Sequence, residues 1–225
     1  MSKPSAPAPA VPVVVGKDDA AKASRAEILQ AAAELFMAFG YAATSIDAVA
    51  EHMGATKGRI YHHFRSKADL YFDVQVAAMN RVMAAVEPIA RRPGSAVQRL
   101  AAMSLCHAQI LLTELPMQKV AVQGLERQLL GHSLGNTPAS KRLRVVVKMR
   151  DDYERLFAEV IDDGIREGVF IDMSPRLATK PFFGVLNWAT VWYSPRRLQS
   201  AESVDDLART LADFALRGLL KPAPG

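Results

Sequence analysis

Thr44–Lys67 reads TSIDAVAEHMGATKGRIYHHFRSK. Ile46, Val49, Ala50 and Met53 recur at helical spacing behind two hydroxyl residues suited to capping, Thr44 and Ser45, which predicts a two-turn helix with one apolar face. Gly54 stops it. Thr56 then caps a second short helix, Lys57 to about Phe64, whose Ile60 and Phe64 stand four apart and face the same core. Two helices joined by a tight glycine turn make a helix-turn-helix, a motif whose second helix enters the DNA major groove with its first residues against base edges. His52 to Ala68 contains no acid, while Lys57, Arg59, Arg65 and Lys67 are basic, the charge pattern required beside a phosphate backbone. A solvated helical hairpin with an incidental basic face would carry the same pattern.

Working outward, Ile28, Leu29, Ala32, Leu35, Phe36 and Phe39 predict a helix from Asp18 or Asp19 to Phe39, ended by Gly40. Ser66 caps a further helix through about Glu87, where Pro88 breaks it, and this helix joins the head to the rest of the chain. Ser95 to Leu115 is apolar on nearly all sides, as in a helix buried inside a bundle, and Pro116 kinks or ends it. Met117 to Leu130, Pro138 to about Glu167, Pro175 to about Tyr193 (bent at Pro181, with Ser174 as cap) and Val204 to Leu220 (capped by Ser203) complete about nine helices. No segment reads as a strand. The fold class is all-α: a disordered arm over 1–18, a three-helix head over 19–68 and a larger helical domain over 69–221.

Ile28–Leu70, ILQAAAELFMAFGYAATSIDAVAEHMGATKGRIYHHFRSKADL, resembles the N-terminal domain of TetR-family (TetR/AcrR) transcriptional regulators. The likeness runs through the first helix ending in Phe-Gly-Tyr, the Ala-Thr-Ser cap, the glycine turn and Tyr-His-His-Phe followed by Ser-Lys, about 45 residues without a gap. It implies a homodimer on a palindromic double-stranded DNA operator, with a small-molecule effector held in the second domain. Carried onto this chain, it gives Thr44, Tyr61, His62 and Lys67 as phosphate contacts. Ser45 and Thr56 cap the two helices beside them, and Lys57, Gly58 and Arg59 open the reading helix. Arg59 stands where the family more often has a small or hydroxyl residue; it either reads a guanine bidentately or touches phosphate.

Asn187–Pro195, NWATVWYSP, with the preceding Gly-Val-Phe turn, resembles the branch of the family that senses acyl-CoA or steroid-derived CoA thioesters. Polar or soft residues on otherwise apolar helices are the ligand candidates: Met103, His107, Gln123, Met149, Tyr153, Asn187 and Trp188, each of which could equally be core. The basic run Lys141, Arg142, Arg144, Lys148 and Arg150 suits CoA phosphates if it borders a pocket mouth, or is a solvated face. Phe183, Trp192, Leu207, Leu211 and Phe214 are candidates for a dimer interface on the last helices, or for intramolecular core.

Composition narrows the alternatives. The 225 residues carry a formal charge of +5, half of them are hydrophobic, and the single Cys106 excludes an intrachain disulfide. No run approaches a membrane span and Val11–Val15 is too short for a signal core, so a cytoplasmic protein with no membrane partner is expected. HExxH, CxxC, a Gly-rich phosphate loop and a Gly-x-Ser-x-Gly elbow are all missing, so neither an enzyme nor a cofactor or metal site is expected. The competing class is a ligand carrier or small helical enzyme with a vestigial DNA-binding domain.

Overall fold

The computed structural model describes residues 17–131, 138–195 and 200–222, with side chains over 21–124, 141–195 and 200–222. Residues 1–16 of the expected N-terminal arm and 132–137 of the loop before Pro138 lie outside them, while Lys17 and Asp18, expected in the arm, open the first helix. The described residues form ten helices: α1 Lys17–Ala43, α2 Ile46–His52, α3 Lys57–His63, α4 Lys67–Ala90, α5 Ala96–Thr113, α6 Leu115–Gly131, α7 Pro138–Arg166, α8 Pro175–Asn187, α9 Ala189–Trp192 and α10 Ala201–Arg217. The only pairing outside helices among them is one isolated bridge, Phe170 with Leu220.

Two main cores result. In the head, Ile28, Ala32 and Phe36 of α1 pack on Ile46 and Val49 of α2, Ile60 and Phe64 at α3, and Leu70 and Val74 of α4. In the larger domain, α5 runs through the centre, its Leu100, Met103 and Leu111 packed against Phe157 and Ile161 of α7, Phe182 and Leu186 of α8, and Ala208 and Ala215 of α10. Helix α4 serves both, with Leu70 and Val74 in the first core and Val82, Val86 and Ala90 in the second. Helix α6 also reaches across, since Val120 belongs to the head core.

The start and stop signals act locally and differ from the sequence expectation in a few places. Gly40 interrupts α1 with φ 78 and ψ 167, a conformation that costs glycine little, and one further turn follows. Ser45 caps α2, accepting from Ala48 N at 3.0 Å, and Ser66 caps α4, accepting from Asp69 N at 3.1 Å. Helix α4 continues through Pro88 to Ala90 rather than breaking, because a proline in the last turn forfeits one backbone bond while buried Val86 and Ala90 hold that turn on the core. At Pro116 the chain turns: α5 ends at Thr113, α6 starts at Leu115, and the two stand bent by 104°. Ser174 makes no side-chain cap bond, leaving Pro175 to set the start of α8. Pro181 lies inside α8, and the expected eighth helix is instead split at Trp188. The last helix is capped by Ser200 instead of Ser203, with Ser200 Oγ accepting from Ser203 N at 3.1 Å. No single described helix is long and apolar enough to cross a membrane.

Candidate functional site: reading helix and chamber

Helix α3 owes its position to two apolar side chains, Ile60 and Phe64, 0 % and 1 % exposed. Anchored on that side, it turns Lys57, Gly58, Arg59, Tyr61 and His62 to solvent, with Thr56 at its cap, accepting from Arg59 N at 3.4 Å, and Ser45 on the neighbouring α2 cap. Ser45, Thr56, Lys57, Gly58, Arg59, Tyr61 and His62 are thus brought onto one exposed surface of the helix pair.

The cations of this surface have internal partners. Lys57 Nζ reaches Asp47 at 2.5 Å, and that carboxylate holds the ammonium above its ordinary pKa. Arg59 donates through Nε to Ser24 Oγ at 3.1 Å and through its guanidinium to Glu27, both on α1. Exposed pairs of this kind contribute little to stability and exchange readily for a stronger anion. Lys67 Nζ donates to Tyr41 O at 2.9 Å and Ala42 O at 3.2 Å and lies 4.5 Å from the Tyr41 ring centroid, so it ties down the end of α1. Thr44 corrects an expectation. It is 3 % exposed and its hydroxyl donates to Gly40 O at 2.8 Å, so the side chain closes the α1–α2 corner and is withdrawn from any phosphate.

The second domain encloses a cavity of ≈ 320 Å³ between α4, α5, α6, α7, α8 and α9. His107, Gln123, Tyr153, Asn187 and Trp188 line it; Met103 and Met149 do not. Met103 is 0 % exposed within the α5 core, and an apolar residue at helical spacing carries nothing in the sequence to separate lining from packing. Three of the lining groups form a relay: His107 Nδ1 lies 2.9 Å from Tyr153 Oη and His107 Nε2 lies 3.0 Å from Asn187 Oδ1. Burial holds the His107 pKa down to about 4, against the raising effect of the Asn187 bond, so the imidazole is neutral near pH 7. Burial likewise raises the Tyr153 phenol well above its ordinary value. In the neutral relay Tyr153 O–H donates to Nδ1 and Nε2–H donates to Asn187.

Gln118, Thr179, Lys180, Glu154 and Phe183 also line the cavity. Sequence reasoning missed the first four, because a glutamine, a threonine or an ion pair on an amphipathic helix reads as solvated. Phe183, expected at the dimer interface, instead has its ring 4.7 Å from Phe157 and 5.5 Å from His107, inside the aromatic cluster. Of the basic run, Arg150 alone reaches the cavity mouth; Arg142 pairs with Asp69 at 2.7 Å and Lys148 with Asp152 at 2.9 Å. Trp192 and Phe214 are 50 % and 69 % exposed, while Leu207 and Leu211, two turns and one turn before Phe214, are half-buried against the bundle core. Trp188, Val191 and Leu177 add 63 %, 50 % and 60 % exposed apolar side chains on and between α8 and α9. Among the described residues no cluster of His, Cys, Asp and Glu could hold a metal ion.

Residues 28–74 match the family described as bacterial regulatory proteins, tetR family, and residues 93–219 match the tetracyclin repressor-like C-terminal domain. The chain is 24% identical over 190 residues to the HTH-type transcriptional repressor KstR2 of Mycobacterium tuberculosis, covering 80% of this chain and 86% of that one. The structure of the ketosteroid transcriptional regulator KstR2 of Mycobacterium tuberculosis superposes with a TM-score of 0.73 at 21% identity, over 88% of this chain and 95% of that one. AibR in complex with isovaleryl coenzyme A and operator DNA gives 0.69 at 20% identity, over 88% and 99%. With residues 28–74 and 93–219 matched by these two models, the chain belongs to the TetR family of bacterial regulatory proteins.

Proposed function

We propose that this protein is a ligand-responsive transcriptional repressor that binds a palindromic operator as a homodimer and is released when a small hydrophobic or CoA-thioester effector fills the α4–α9 chamber. The observation that carries the reading is the exposed, acid-free outer face of α3, backed by a head core that fixes its angle. Arg59 supplies base recognition at its first turn, while Lys57, Tyr61 and His62 contribute contacts to phosphates. One short helix gives a modest specificity ratio and two half-sites multiply it, which is the mechanical need for a dimer. The apolar face of α8, α9 and α10, with exposed Trp192 and Phe214 and half-buried Leu211, is the surface such a dimer would cover. KstR2 is named as a repressor and AibR as bound to an acyl-coenzyme A and an operator, and both names support the assignment. The protein acts on cytoplasmic DNA and does no chemistry on its ligand.

The test is anisotropy of a labelled duplex taken from the chain's own upstream region, titrated with the full chain and challenged with random-sequence DNA. A specific repressor holds its operator against about a thousandfold excess of competitor and sediments at twice the chain mass. A monomer in solution, or displacement by random DNA as efficient as by operator, would falsify the reading and favour a carrier that has kept the head fold.

A further inference from the structure

The Arg59 guanidinium is held by α1 along one edge. Nε donates to Ser24 Oγ at 3.1 Å and Nη2 donates to Glu27, both residues of α1. A guanidinium offers two edges that each present a parallel pair of N–H groups: a side edge of Nε and Nη2, and an end edge of Nη1 and the second hydrogen of Nη2. Helix α1 takes the side edge. The end edge has no partner among the described residues, and the Arg59 side chain stays 40 % exposed at the first turn of α3.

The Glu27 carboxylate affects what that free edge can recognise. It offsets the guanidinium charge locally, so a phosphate gains little from Arg59 unless it displaces Glu27. Guanine differs, because its O6 and N7 are uncharged acceptors placed for two parallel donors and meet the end edge without disturbing α1. Ser24 and Glu27 stand three apart on one helix, so both acceptors approach from a single face and fix the plane of the group. A side chain already held in place gives up less freedom on binding. Lys67 shows the other arrangement: its partners are the neutral carbonyls of Tyr41 and Ala42, which leave its charge available to a phosphate.

Resting on the operator-binding reading above, we propose that Glu27 is a positioning residue for sequence recognition. It holds Arg59 by the side edge, with Ser24 Oγ filling the rest of that edge, so that the end edge reads a guanine in the major groove. It also keeps this cation off the phosphates, and it touches no base itself.

The test is selection of sites from a randomised duplex pool by the full chain. Anisotropy titrations of the selected duplex, its single-base variants and a random-sequence duplex follow, each over a range of salt. The unaltered chain is expected to demand a G·C pair at one position of each half-site, a demand that Arg59→Ala removes. Glu27→Gln should reduce that preference by roughly fivefold, raise affinity for the random duplex about threefold and steepen the salt slope by about one, as the released guanidinium takes a phosphate. In the Arg59→Ala background, Glu27→Gln should produce no steepening, because the carboxylate acts only through the arginine. Glu27 is exposed and outside the head core, so the substitution leaves the fold in place, and tighter binding of random DNA is not what a damaged head would show. An unchanged G·C preference in Glu27→Gln, an unchanged slope, or the same steepening in the Arg59→Ala background overturns the proposal. A selected operator with no Arg59-dependent guanine also overturns it and leaves the repressor reading standing; failure to select any sequence sinks both.

Discussion

The head and the sensing bundle treat polar groups in opposite ways. Around α3 the core is closed and apolar, and Lys57, Arg59 and Lys67 lie outside it, each occupied by a neighbour's oxygen that a phosphate or base could replace. In the bundle, uncharged His107, Tyr153, Asn187 and Gln118 line the chamber, with the buried Gln118 Nε2 unpaired, beside the Glu154–Lys180 pair and Arg150. A surface held by exchangeable ion pairs is suited to a charged polymer whose affinity falls with salt. A small molecule in a largely apolar chamber should respond to salt only slightly, and chiefly through Arg150 and Lys180.

The largest expected break in this contrast comes from Phe64→Ala. Removing a ring 1 % exposed from the head core should cost about 4 kcal/mol and abolish operator binding while ligand binding to the bundle survives, read by urea unfolding together with anisotropy and calorimetry. Loss of both activities together would mean that the two cores unfold as one. Next comes pH. His107 is held near 4 in the fold against 6.5 when free, so the unfolded chain binds the extra proton first. Its contribution is complete above about pH 6.5, drains away as pH falls toward 4, and amounts to at most about 3 kcal/mol. Urea midpoints of the unaltered chain should fall more steeply over that window than those of His107→Gln, with no such gap in the head's exposed pairs.

Arg59→Ala should lose about 1–3 kcal/mol of discrimination at one base pair and little elsewhere, measured on a set of single-base operator variants; a uniform loss would assign Arg59 to phosphate. Lys57→Ala should weaken every sequence alike and reduce the salt slope by about one. The smallest effect is Ser45→Ala, about 1 kcal/mol of head stability from a lost cap, visible as a lower melting temperature at unchanged ligand affinity.

The same contrast explains what could be read from sequence. Ile60 and Phe64 four apart, Gly54 between two caps, and acids excluded from His52 to Ala68 are local signals, so the head and its exposed face were legible residue by residue. Choosing between adjacent hydroxyls was not: Thr44 and Ser45 look equivalent until the corner closes and Thr44 turns inward to Gly40. The chamber depends on how distant helices meet. His107, Tyr153 and Asn187 were found as polar residues on apolar helices, whereas Gln118 sits on a helix amphipathic enough to read as solvated. Phe183, one residue from the buried Phe182, gave no hint of which neighbour faces the ring cluster.

Helix α6 has Val120 seated in the head core, and Gln118 and Gln123 on the chamber wall. It is in effect a shared axle. Two residues apart on one helix, Gln118 and Val120 thus belong to different compartments, so a displacement of α6 would be felt in both the chamber and the head core.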